Sequence, residues 1–330
     1  MTLDVRFTYT AFLISIIWIV MVRQSENLRY RINGLVQVDY RSSDAISLSA
    51  IKSTHSSLLH PALHSQIDGK SLREPLVGVT ALIDLQPVGL ILCELDDCGK
   101  ARIVCWNVLP HYREKGIGSR LLSHLEQMLS ANEIGMLTHL MRSDLRSFKI
   151  VEATLIPRGW SCSERLRLYK VTKSNYKEPV WFDQVTLRQG YSLFPWNKLR
   201  STERAQIVAK QNDGNWFPGE LTPFQEESTI EWSNSIGLRF QGEVVGWMIT
   251  HRVATDVVQY TALFVAEEHR SQATGIALIA DSVKRHLAVG GSRAIFQVRS
   301  DNTPFIRFVD RRFNSILSST AKRMLFKKEL

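Results

Sequence analysis

The 330-residue sequence predicts an α/β protein built from two tandem copies of one unit. Three observations carry that expectation. An apolar strand, a basic glycine turn and an amphipathic helix follow one another between Ile103 and Met128. A similar succession returns in the second half at the same internal spacing. The chain is also about twice the length of an average domain.

The first succession begins with Ile103-Val104-Cys105-Trp106-Asn107-Val108, read as a strand. A short basic turn follows, with glycines at Gly116 and Gly118. Ile117, Leu121, Leu122, Leu125 and Met128 then recur at helical spacing and predict a helix with one buried face. The first N–H groups of such a helix have no partner within it, and its dipole favours an anion there. Glycine admits a ligand close to that backbone. The stretch therefore predicts a phosphate or pyrophosphate cradle. It is not a P-loop, which needs G-x-x-x-x-G-K-[ST], and Leu121 stands where a dinucleotide fingerprint needs its third glycine.

What remains, Arg113-Glu114-Lys115-Gly116-Ile117-Gly118, resembles the R/Q-x-x-G-x-G/A motif of the GCN5-related N-acetyltransferase (GNAT) family. The resemblance implies that this turn, with Ser119 and the strand end at Val108, binds acetyl-coenzyme A as co-substrate. It further implies a mixed, mostly antiparallel sheet flanked by helices, splayed at its centre to admit the pantetheine arm.

The remaining elements follow in order. Phe7 to Val22 is an uncharged apolar run, shorter than the roughly 20 residues of a membrane-spanning helix. An extra helix, or sequence upstream of a start at Met21, is favoured over a membrane anchor. Residues 1–28 are read as an extension, 29–173 as the first domain and 180–330 as the second. Arg29 to Tyr40 is expected to form a first strand, with short helices over Asp44–Lys52 and Ser56–His64. His55, His60 and His64 are read as unpaired surface histidines. Strands are expected over Leu76–Ile83, Val88–Leu95, Met136–Arg142 and Leu166–Val171, and a linker over Thr172–Pro179.

In the second half, Trp181–Leu193 is expected as the opening strand and Ser201–Gln211 as a helix, before an aromatic loop at Trp216–Glu220. Glu243–Ile249 parallels Pro87–Ile91, and Tyr260–Val265 parallels Ile103–Val108. Gly89 to Arg113 is 24 residues, as is Gly246 to Arg270. The second motif reads Gln272-Ala273-Thr274-Gly275-Ile276-Ala277, with two extra residues before its glycine. With Val265 it is a possible second cofactor site, and the first, with the regular spacing, is preferred as the working one. Asn302 resembles the asparagine that precedes the family's last helix.

Composition bounds the partners. A formal charge of +9 suits an acidic ligand, but the basic residues are dispersed and no nucleic-acid arm is predicted. Cys93, Cys98, Cys105 and Cys162 lack zinc spacing and read as reduced thiols of a cytoplasmic protein, with no metal expected. Lys327-Lys328-Glu329-Leu330 reads as a charged tail.

The expected activity is transfer of an acetyl group from acetyl-CoA to an amine-bearing small molecule by direct attack. The proton-handling residues are not evident. Arg102 and Gln259 stand where the family carries a glutamate base, and Leu155 and Val309 or Phe308 where it carries a tyrosine acid. Glu94 and Tyr260 are the substitute candidates, and His111 and His269 are expected to face phosphate or solvent. The alternatives are a non-catalytic acyl-CoA-binding regulatory protein and an acyltransferase acting on a protein or on aminoacylated RNA.

Overall fold

The computed structural model describes residues 28–32, 36–59, 63, 72 and 76–330. The apolar run at 7–22, His60 and His64 lie outside them. The described chain forms two compact units. One contains the described residues up to Met141 with Ser147–Ser163 and Leu325–Leu330; the other contains Arg142–Arg146 and Glu164–Met324. The polar segment 172–179, expected as a linker, belongs wholly to the second unit.

In the first unit, β1 (Leu28–Ile32), β2 (Val36–Ile46), β3 (Leu76–Ile83), β4 (Gln86–Leu95) and β5 (Lys100–Val108) pair antiparallel in chain order. Strand β6 (Met136–Arg142) then pairs parallel with β5. Val88–Cys93 of β4 is buried without alternation, because helices cover both faces. On one face α1 (Leu48–His55) packs with the turn at Ser56–Leu58 over Leu76, Leu90, Leu92 and Cys105. On the other, α2 (Ile117–Ala131) buries Ile117, Leu121, Leu122, Leu125 and Leu129 against β3 and β4. The short α3 (Phe148–Leu155) follows, and β7 (Ser161–Thr172) begins in this unit.

The second unit repeats the plan. Strands β8 (Tyr191–Pro195), β9 (Ile236–Phe240), β10 (Glu243–Ala254) and β11 (Val257–Val265) pair antiparallel, β12 (Arg293–Arg299) pairs parallel with β11, and β7 pairs antiparallel with β12. Helix α4 (Ser201–Gly214) covers an aromatic core of Phe194, Trp196, Phe217, Trp247 and Phe264. Helices α5 (Thr274–Ala288) and α6 (Thr303–Arg312) cover the opposite face. Asn302 Oδ1 accepts from Phe305 N at 3.2 Å and caps α6, as its position predicts.

Several sequence expectations are corrected. Arg29–Tyr40 is not one strand but the antiparallel pair β1–β2, and β2 runs on through Asp44 to Ile46. Helix α1 therefore starts at Leu48, where Ser47 Oγ accepts from Ala50 N. Over Ser56–His64 the described residues are a 3-10 turn, Ser56–Leu58, Leu59, and Leu63 in helical conformation; residues 60–62 and 64 lie outside them. His55 is not unpaired: its ring nitrogens meet Thr54 Oγ1 at 2.6 Å and Thr80 Oγ1 at 3.1 Å. Of Trp181–Leu193 only Tyr191–Leu193, the start of β8, is strand; before it lies a loop anchored by Trp181 and Phe182, which pack edge-on against Phe313 at 5.6 and 6.4 Å. The charged C-terminus is no tail. It ends β13 (Leu317–Glu329), where Phe326 is fully buried beside Phe148 and Lys328 Nζ donates to Glu126 at 2.8 Å.

Candidate functional site

In the first unit β5 leads into the basic turn. Glu114 and Gly116 take left-handed conformations, φ +61° and +78°, which turns the chain into α2. Arg113 donates from Nε to the Val108 carbonyl at 2.8 Å, so its guanidinium locks the turn to the strand end. The first helical bond is Arg120 N to Gly116 O, and the N–H groups of residues 114–119 find no acceptor among the described residues. Free donors of this kind at a helix start suit an anion.

The second cradle copies the first at a constant offset. Gly89, Val108 and Arg113 recur as Gly246, Val265 and Arg270, each 157 positions later. Arg270 Nε again donates to the strand-end carbonyl, that of Val265, at 2.9 Å. Helix α5 again opens behind a left-handed residue, here Ala273 at φ +56°, with Ala277 N bonded to Ala273 O. A Cβ on Gly118 would sit 3.7 Å from Val108 Cγ2, and one on Gly275 would sit 3.8 Å from Val265 Cγ2. Thus Gly275 answers to Gly118, Thr274 to Ile117 and Ala273 to Gly116. The second copy has no insertion, contrary to the two extra residues read from its glycine. Alanine stands where the first copy has its first glycine.

Both central strands carry a bulge at the same place. Residue Val104 is skipped between the pairs Leu92–Cys105 and Cys93–Ile103, and Thr261 between Ile249–Ala262 and Thr250–Tyr260. Each then leaves its parallel neighbour. Strand β5 pairs with β6 only from Lys100 to Ile103, and β11 with β12 only from Val257 to Tyr260. This is the expected splay, and it frees backbone groups on both sides of a cleft.

The two clefts differ in what fills them. In the first unit, Trp106 reaches from β5 over the helix start, donating from Nε1 to Gly118 O at 3.1 Å. Its ring meets His139 of β6 edge-on at 6.2 Å. Burial lowers the His139 pKa to about 4, so the imidazole is neutral, and its Nδ1 has no partner among the described residues. In the second unit the equivalents are Leu263 and Phe296, and both line a cavity of about 870 Å³. Its wall passes from Pro218 and Leu221 to Ile279 and Val283 of α5. A second cavity, about 790 Å³, lies at the cradle itself, lined by Ala273, Ile276, Arg307, Arg311 and Arg312. Three guanidinium groups beside a helix N-terminus make that mouth strongly attractive to phosphate.

The sequence candidates for proton transfer fare differently. Glu94 is taken up by Arg102, which donates to its Oε1 from Nε at 2.9 Å and Nη2 at 2.6 Å. Tyr260 lines the second unit's cavity at the last β11–β12 pair; burial raises its pKa, and its hydroxyl accepts from Asn234 at 3.4 Å. Leu155 and Val309, at the family's tyrosine position, are buried apolar residues. His111 is exposed, whereas His269 Nδ1 meets Tyr191 Oη at 2.8 Å and its ring packs on Phe240. The aromatic loop is pinned by Phe217 and Trp216 against Trp247 and Phe264, and its Pro218 and Glu220 face the cavity.

Sequence reasoning missed a pair beside the bulge. Thr261 lines the cavity, and its Oγ1 lies 2.7 Å from Nδ1 of the buried His251. His251 Nε2 lies 3.0 Å from the Gln225 carbonyl, which accepts only, so Nε2 carries the proton and Nδ1 is left to accept. The threonine hydroxyl is also 3.3 Å from the Gln259 carbonyl. No signal marks this pair in sequence, because it forms across the β10–β11 hairpin.

A mixed sheet splayed beside an anion cradle, twice over, defines an acyltransferase fold in tandem. The chain belongs to the acetyltransferase (GNAT) family, whose model matches residues 48–147 and 196–314. Among solved structures it is similar to a tandem GNAT protein from the clavulanic acid biosynthesis pathway, at 15% identity and TM-score 0.57, covering 88% of this chain and 98% of that one. A GCN5-related N-acetyltransferase from Sphaerobacter thermophilus gives 15% identity, TM-score 0.57 and coverages of 88% and 95%. The glucosamine N-acetyltransferase region of a fungal multi-domain GH3 β-N-acetylglucosaminidase gives 15% and 0.58, covering 89% of this chain and 38% of that one. These likenesses show the fold. No curated protein matches the sequence. Among the described residues no helix is long and apolar enough to cross a membrane, and no acidic, histidine and cysteine cluster could hold a metal.

Proposed function

We propose that the chain moves the acetyl group of acetyl-CoA to an amine-bearing small molecule by direct attack, and that its second unit holds the thioester. One observation carries the choice of unit. The second cleft opens into a cavity of about 870 Å³, whereas Trp106 and His139 span the first. In this reading the N–H groups at Thr274–Ile276, which find no acceptor among the described residues, hold the pyrophosphate and 3′-phosphate with Arg307, Arg311 and Arg312. The pantetheine arm lies between β11 and β12, and backbone N–H groups of β11 polarise the thioester carbonyl. The amine forms the new N–C bond as the C–S bond breaks and the thiolate leaves. Thr261 takes the amine proton and passes its own to His251 Nδ1. The first cradle, Arg113 to Ser119, offers the N–H groups of residues 114–119, without acceptors among the described residues, and remains an anion site. The four unpaired cysteines support a reducing, cytoplasmic setting.

A non-catalytic acyl-CoA sensor is the second reading, favoured by the engaged Glu94 and the apolar Leu155 and Val309. The two separate in one assay. Purified protein, acetyl-CoA and a panel of primary amines are incubated and free thiol is followed. The proposal expects amine-dependent thiol release that Ala273→Glu abolishes. Acetyl-CoA binding without thiol release for any amine would leave the sensor.

A further inference from the structure

This inference rests on the second unit being the acyl-CoA site, and it concerns the acyl group. The cavity continues past the last β11–β12 pair, Tyr260 with Phe296, and reaches His286, Gly291 and Ser292. On α5 it is lined by Ile279, Val283, His286 and Leu287, about 12 Å along the C-terminal half of the helix, beyond the Ala273 and Ile276 that line the cavity at the cradle. Its middle is apolar, with Met248, Leu263, Val283, Phe296 and Phe313.

The inner end is polar, and its groups are underused. The Tyr176 hydroxyl is buried with no partner among the described residues. His286 is 6% exposed, and among the described residues no hydrogen bond reaches its ring. The ring is held in place, since a Cβ on Gly291 would lie 2.4 Å from its Cε1 and Nε2, and it meets the Tyr260 ring edge-on at 6.2 Å. Burial, and after it the Arg252 charge, lowers the His286 pKa, with Glu231 acting the other way. Buried polar groups without partners are costly, and an apolar channel that ends in them fits a ligand that supplies the missing bonds.

We infer that the second unit selects an acyl donor longer than acetyl, a short chain whose far end carries a neutral hydrogen-bonding group such as a hydroxyl, received by His286 and Tyr176. An acetyl group leaves both unpartnered, and an unsubstituted chain reaches them with nothing to offer.

Calorimetric titration with CoA, acetyl-CoA, butyryl-CoA and 4-hydroxybutyryl-CoA tests this on the full chain. The hydroxyacyl thioester is expected to bind about tenfold tighter, or better, than the other two thioesters. His286→Leu should bring it within about twofold of butyryl-CoA and leave CoA affinity unchanged, which also reports an intact fold. Tyr176→Phe removes one hydroxyl only and should cut the preference several-fold. Equal affinity of all thioesters for the wild type, or a preference untouched by both variants, would overturn the inference while leaving the donor site standing. No binding of CoA itself would instead overturn the reading beneath it.

Discussion

At the residue scale, the second cradle turns on Ala273. A non-glycine residue at φ +56° is strained, because its Cβ crowds the neighbouring carbonyl. If Ala273 truly answers to Gly116, Ala273→Gly should stabilise the second unit by about 1 kcal/mol in urea denaturation. A loss of stability would mean that the two turns are not equivalent. The motif itself was legible as Arg113–Gly118, but its second register was not. Matching glycine to glycine shifts the alignment by two, since a pattern of letters does not record which residue takes the left-handed conformation.

A second residue ties α4 to the sheet. Glu203 is 2% exposed and accepts from Arg239 Nε at 2.7 Å and from Arg200 Nη2 at 2.8 Å. Its pKa is lowered from 4.5 to about 2, chiefly by the Arg239 bond, followed by burial acting the other way and the Arg200 bonds. The folded value lies below the unfolded one, so this stabilisation is fully present above pH 4.5 and is lost as pH falls towards 2. Glu203→Gln should therefore cost about 3 kcal/mol at pH 7, with the gap from wild type closing between pH 4.5 and 2. A gap that stays constant with pH would show that the carboxylate charge is not what matters.

At the scale of elements, the proposed choice of unit rests on the cleft. Both clefts share the bulge and the early parting of two parallel strands, and Trp106 and His139 of the first are Leu263 and Phe296 in the second. Leu263→Trp should reproduce the first unit's filled cleft in the second. Acyl-CoA affinity should fall by about 100-fold or more, with the circular dichroism spectrum unchanged. Unchanged affinity would place the donor elsewhere. Strands β3, β4, β6 and β10 were readable from their apolar runs. Strand β9 is only five residues, Ile236–Phe240, and β13 flanks Met324–Phe326 with the basic pairs Lys322-Arg323 and Lys327-Lys328, so neither stands out from loop or tail. The cavity has no sequence signature, because it exists only where β11 and β12 diverge.

At the scale of the whole molecule, duplication was legible in the shared 24-residue spacing, and the constant 157-residue offset now carries it through strand, turn and helix. Less legible was how the chain is shared out, since Leu325–Leu330, the last residues of the chain, complete the first unit. The turn and its helix start recur in both copies, and in the proposed reading only the second cleft admits the thioester. The account therefore predicts a stoichiometry, and counting sites by calorimetric titration with acetyl-CoA tests it most directly. One site per chain is expected, retained in Gly116→Glu and lost in Ala273→Glu. A single site lost in Gly116→Glu and retained in Ala273→Glu would contradict the account and assign the donor to the first unit.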